Sequence, residues 1–114
     1  MADRHPVRFT SDAEADLYAI GEYLAEVRGL NEADAFLNRL TEHIHTLDRF
    51  PLRGPMPKEL EGTGERNVRQ LLFGRYRIFY DVDDGSVLVF MIVDGRRDVE
   101  TLLGARLLGR SPPA

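Results

Sequence analysis

From Leu71 onward the chain reads LLFGRYRIFYDVDDGSVLVFMIVDGRRDVETLL, and this stretch narrows the choice of folds more than any other. Tyr76, Ile78 and Tyr80 alternate with Arg75, Arg77 and Phe79, the period-two pattern of a strand with one buried face and one face able to carry charge. Asp83-Asp84-Gly85 then supplies a hairpin turn, because Gly and Asp tolerate the positive φ angles that tight turns demand. Val87 to Val93 contain no polar side chain, which predicts a strand covered on both faces and placed centrally in its sheet. Asp94-Gly95-Arg96-Arg97-Asp98 then carries two guanidinium groups out of the sheet toward a helix start at Asp98. Function is expected at that tip.

The N-terminal half predicts a short strand and two helices. Val7 and Phe9 flank Arg8 as a brief strand would, and Ser11 with Glu14 has the spacing of a capping box. Leu17, Ile20, Leu24 and Val27 recur at helical spacing, and Gly29 ends that helix. Asn31 is the expected cap of the next, whose stripe is Ala33, Phe36, Leu37, Leu40, Ile44 and Leu47 and whose stop is Pro51. So short a connection makes the pair an antiparallel hairpin with its apolar stripes aimed at the sheet or at each other. Phe50 to Gly64 reads as a Pro- and Gly-rich loop with one turn at Lys58 to Glu61. VETLLGARLL, capped by Asp98, predicts a short C-terminal helix presenting Leu102, Leu103 and Leu107, weakened at Gly104 by about 1 kcal/mol relative to alanine.

These elements make one α+β domain over residues 1 to 114, with its core at about 7 to 103 and a disordered tail at Arg110 to Ala114. A chain of 114 residues buries roughly two thirds of its unfolded surface without staples. The absence of cysteine excludes disulfides, thiolate metal sites and a Cys nucleophile. No segment approaches the ~20 apolar residues of a membrane span, and no apolar run follows the N-terminal charges, so a cytoplasmic protein is expected. Net charge of −4 argues against a general nucleic-acid binder. Residues 1 to 65 carry seven Lys and Arg against thirteen Asp and Glu, whereas residues 66 to 114 carry eight against six. The sheet half is therefore the basic half. Fourteen of the fifteen basic residues are Arg, which suits bidentate contact with carboxylate or phosphate and equally suits codon bias in a GC-rich genome.

His43 and His45 stand two apart on a helix and face different ways, so they make no metal site. Gly62-Thr63-Gly64 is too little for a phosphate loop, and nothing calls for a cofactor. Arg66, Arg69, Arg75 and Arg77 read either as a basic stripe for a partner or as solvated strand residues paired with nearby acids.

The order of strand, helix hairpin, Phe50-Pro51-x-x-Gly54 loop, RQLLFGRYRIFYDVDDG, apolar strand and Gly95-Arg96-Arg97-Asp98 resembles the ParE/RelE superfamily of bacterial toxins, over about residues 7 to 103. The resemblance implies an N-terminal strand and an antiparallel two-helix hairpin packed on an antiparallel β-sheet, followed by a short C-terminal helix. It also implies a toxin of a type II toxin-antitoxin pair, neutralised by direct binding of a cognate antitoxin. RelE-like members are ribosome-dependent mRNA endonucleases whose ending resembles V-G-H-R-R-D-V-Y. In this chain Gly95 stands in place of the His and Glu100 in place of the Tyr. The nuclease alternative rests on Arg66, Arg69, Arg75, Arg77, Arg96, Tyr76 and Tyr80. ParE-like members resemble the tip more closely, with Gly-Arg-x-Asp before a leucine-rich helix, although Asp94 replaces a frequent His. That branch implies a non-enzymatic poison of DNA gyrase, and Arg96, Arg97 and Asp98 are the expected target-binding residues; Leu102, Leu103 and Leu107, read as an exposed apolar patch needing cover, are with Arg75 and Arg77 the expected antitoxin-binding residues. Direct sequence-specific nucleic-acid binding is not expected. A third reading is a non-toxic relative that keeps only antitoxin binding or scaffolding.

Overall fold

A sheet of four strands in the order β1-β4-β3-β2 organises the chain. The computed structural model describes residues 4–109, and the tail expected at Arg110 to Ala114 lies outside them. The elements are β1 (Val7–Phe9), α1 (Ser11–Arg28), α2 (Leu30–His45), β2 (Val68–Phe73), β3 (Tyr76–Asp83), β4 (Ser86–Asp94) and α3 (Val99–Leu108), with 3-10 turns at Thr46–Asp48 and Lys58–Leu60. β2, β3 and β4 form the expected antiparallel meander. β1 adds to it in parallel, with Val7 opposite Val87 and Phe9 opposite Val89.

The apolar character of β4 follows from its place. Val87, Val89 and Ile92 join Leu40, Ile44 and Leu47 under the helix hairpin, while Phe90, Met91 and Val93 join Leu60, Val99 and Leu103 on the opposite face. Strict alternation would not put the neighbours Phe90 and Met91 on one side. A bulge does, because Phe79 pairs with Met91 and Tyr80 with Val89, leaving Phe90 as the extra residue. The second face is thus covered by α3 and the Lys58–Leu60 turn, so Phe79 is buried and not on a charged, solvated face as its strand pattern suggested.

The starts of α1 and α2 differ from expectation by one or two residues, whereas α3 is capped by Asp98 as expected. α1 is capped by Thr10, whose hydroxyl accepts from the Ala13 amide at 3.0 Å, and Ser11 is the first helical residue. Thr10 has the stronger claim because its own amide closes the β1 ladder on the Val89 carbonyl at 2.9 Å. α2 begins at Leu30 after Gly29, with no side-chain cap from Asn31. Gly29 ends one helix and starts the next at φ 93° and ψ 161°, a region that is essentially closed to other residues. Space around it is open, so Gly29→Ala isolates backbone strain. It should cost about 1–3 kcal/mol in urea denaturation, and an unchanged midpoint would contradict this account of the corner.

Candidate functional site

The ends of β2, β3 and β4 meet at one end of the sheet, and Asp94 is the residue that gathers charge there. Its carboxylate accepts from the Arg96 amide (2.9 Å), Arg96 Nε (3.1 Å) and Arg96 Nη2 (2.9 Å), and Arg75 Nε approaches the same group at 3.1 Å. Arg96 and Arg75 hold the Asp94 carboxyl below the usual carboxylate range, and the carboxylate in turn raises the Arg96 guanidinium. The tip is therefore one acid between two arginines, fixed in charge at neutral pH. Arg96 folds back on Asp94 while keeping 68% of its side chain exposed. Arg97 is exposed and has no ion pair among the described residues. Asp98 caps α3, accepting from the Thr101 amide at 3.3 Å.

Two clefts open on either side of Arg75 and Tyr76. One, of about 330 Å³, runs from Tyr23 and Ile20 on α1 to Arg96 and Arg97. The other, of about 420 Å³, lies between the helix corner and the β2–β3 turn, lined by Arg28, Arg39, Phe36 and Glu32 besides Arg75 and Tyr76. Arg28 and Arg39 went unmarked in the sequence. Their signal is faint, one standing beside the Gly29 corner and the other one turn after Phe36.

The residues of the nuclease alternative are scattered. Arg75, Tyr76 and Arg96 share the tip, but Arg69 pairs with Tyr80 in the β2–β3 register, four residues along the strand from Tyr76, which is about 13 Å. Tyr80 is wholly buried and its hydroxyl accepts from the Gly54 amide at 3.2 Å; burial pushes the phenol up. Arg69 donates to the Gly54 carbonyl at 2.7 Å, and Arg66 is exposed in the loop before β2. Arg77 lies on the other face, bound to both Glu59 carboxylate oxygens at 2.8 Å and to Gln70 at 2.8 Å. Gly95 donates its amide to the Arg75 carbonyl at 2.7 Å, and a Cβ there would stand 3.1 Å from that oxygen and 3.2 Å from the Arg77 stem. A histidine would need the strand end to shift.

The leucines of α3 also serve the fold. Leu103 is 1% exposed, and Leu102 and Leu107 pack on the same cluster. Leu103 is thereby removed from the exposed apolar patch expected of these three, because the second face of the sheet takes it up; Leu102 and Leu107 are half-buried, and Leu108, at 93% exposure, is the leucine left outside. His43 Nε2 donates to the Leu72 carbonyl at 3.1 Å. Among the described residues no group of three or more His, Cys, Asp or Glu could hold a metal, and no helix is long and apolar enough to cross a membrane.

The Arg77–Glu59 pair carries a pH prediction. Hydrogen bonds from Arg77 hold Glu59 below its ordinary 4.5. The unfolded chain therefore binds the proton more readily, so the pair's contribution is complete above about pH 4.5 and is lost as pH falls through the lower folded value. Glu59→Gln should flatten the acid limb of stability against pH, measured by urea midpoints between pH 3 and 7. An acid limb of unchanged slope would remove Glu59 from the account.

The family described as "ParE toxin of type II toxin-antitoxin system, parDE" matches residues 7–99. Toxin ParE3 of Caulobacter vibrioides is 26% identical over 97 residues, which is 85% of this chain and 93% of that protein. Among solved structures, a chromosomal ParDE toxin-antitoxin system from P. aeruginosa superposes with a TM-score of 0.66 at 18% identity, over 80% of this chain and 96% of the other. The RelBE2 toxin-antitoxin complex from Mycobacterium tuberculosis gives 0.59 at 24% identity, over 82% and 94%. Those two likenesses carry the fold, and the family match carries the assignment. The chain belongs to the ParE toxin family of type II toxin-antitoxin systems.

Proposed function

We propose that this toxin halts growth by binding DNA gyrase through the Arg96–Arg97 tip, catalysing no reaction itself, and that a cognate antitoxin neutralises it by direct binding. The observation that carries the reading is the composition of the tip. Exposed guanidiniums stand around Asp94, with Gly95 and Glu100 where the nuclease branch has its His and Tyr. Arginines can grip a partner's carboxylates with charge-assisted bonds, but their high pKa makes them poor proton donors and acceptors. The solved structures named above are of a toxin-antitoxin system and of a toxin-antitoxin complex, which supports the partner. Leu102, Leu107 and Arg75 keep enough exposure to be touched by such a partner, whereas Leu103 and Arg77 serve the core and the Glu59 pair.

Ribosome-dependent cleavage of mRNA by the purified protein should be absent, since losing a positioned acid or base removes ~100-fold or more in rate. Induction in cells lacking the antitoxin should arrest growth, and Arg96→Ala with Arg97→Ala should relieve the arrest while melting with the parent, because exposed ion pairs add little to folding. Cleavage that disappears in Arg75→Ala or Arg96→Ala would instead establish the nuclease reading.

A further inference from the structure

We infer that the cleft between the helix corner and the β2–β3 turn is the docking site for an acidic segment of the antitoxin, carboxylates on either side of an apolar residue. This rests on the antitoxin partnership proposed above and adds its place and chemistry. Arg28, Arg39 and Arg75 face the cleft against a single acid, Glu32. Arg28 and Arg39 have no ion pair among the described residues, and Arg75 is engaged through Nε. Uncompensated guanidiniums around a concavity are a site for anions. Each of two is steadied by a ring, Arg39 at 5.9 Å from the Phe36 centroid and Arg75 at 5.7 Å from that of Tyr76. Half-buried Phe36, with the edges of the buried Leu24 and Tyr76, adds an apolar part to the same lining, which a ligand of charge alone would leave uncovered.

A peptide fits better than a polyphosphate. The hairpin groove bordered by Glu22, Glu26 and Asp34 lies on the same helices, and the chain carries −4 overall. A nucleic-acid strand leaving the cleft along the hairpin would meet those carboxylates, while a peptide needs only a few charges at the cleft itself. The site also connects to the tip, because Arg75 lines both clefts and contacts Asp94, which orients Arg96. A partner carboxylate on the Arg75 Nη groups would lie one side chain away from Asp94 and Arg96.

The test is calorimetry of the full-length toxin with the full-length cognate antitoxin. Arg28→Gln with Arg39→Gln should weaken binding about 30-fold, with growth arrest in antitoxin-free cells and the melting midpoint unchanged. Glu32→Gln should tighten binding about threefold, an opposite sign that general disruption would not give. If the parent binds the antitoxin and both variants bind it equally well, the site is wrong and the partnership stands. If the parent binds no antitoxin, both fail. Binding of a single-stranded RNA oligonucleotide to the parent at the same salt, lost in Arg28→Gln with Arg39→Gln, would reassign the cleft to phosphate and overturn the proposal.

Discussion

Gly54→Ala should destabilise the protein by about 3–5 kcal/mol, enough to leave much of it unfolded. A Cβ on Gly54 would land on the carbonyl oxygen of Gln70 and stand 3.0 Å from the Tyr80 hydroxyl. The obstacle is backbone, which cannot swing aside as a side-chain end can. The loop would have to lift, and with it would go the Gly54 amide bond to Tyr80, the Arg69 bond to the Gly54 carbonyl and the Gln70 amide bond to the Pro55 carbonyl. Tyr80 is fully buried, so its hydroxyl would lose a partner where water does not reach. Urea denaturation measures the cost. Gly104→Ala, in open space within α3, should be neutral or stabilising by up to about 1 kcal/mol. Equal, small effects at the two glycines would show that the loop does not pin β2.

Asp16→Ala should cost about 3 kcal/mol, through a different failure. β1 ends at Phe9, so β4 has no strand partner on that side around its bulge. An unpaired strand edge needs cover. Asp16 of α1 accepts from the Ile92 amide at 2.9 Å, and Arg106 of α3 donates to the Phe90 carbonyl at 2.8 Å. The two side chains then bind each other through two bonds of 2.8 and 3.0 Å, joining the helices of opposite faces around the sheet edge. Removing Asp16 strands a part-buried guanidinium and a backbone amide together. Arg106→Ala should be partly non-additive with it, with a coupling of about 1.5 kcal/mol or more in a double-mutant cycle. Additive losses would mean that the two residues act separately.

What could be read from the sequence follows from periodicity. β4 was legible because burial on both faces forbids polar side chains, and α2 because its stripe is regular. The bulge at Phe90 was not legible, since shifting register changes no residue type. Asp16 illustrates the same limit: on α1 it reads as an acid away from the apolar stripe, yet it is tied to residues more than seventy positions away. The α1 start was off by one because the neighbours Thr10 and Ser11 offer equivalent caps, and the α2 start because its corner is set by the Gly29 backbone with no side-chain cap. The leucines of α3 were recognised as apolar, but their burial depended on a face of the sheet that Arg77 made appear solvated. Arg77 is instead neutralised by Glu59, which lies in the loop 18 residues earlier. At the site, the tip arginines were legible as the end of an apolar strand. The cleft was not, because it arises where a helix corner meets a turn far along the chain.

The central claim is that the Arg96–Arg97 tip engages gyrase. Supercoiling of relaxed plasmid by purified DNA gyrase, titrated with the purified toxin, tests it most directly. The account predicts inhibition by the parent and a requirement for about 30-fold more of the Arg96→Ala, Arg97→Ala variant, at an unchanged melting midpoint. Supercoiling untouched by the parent, or inhibited equally by the two proteins, would contradict it.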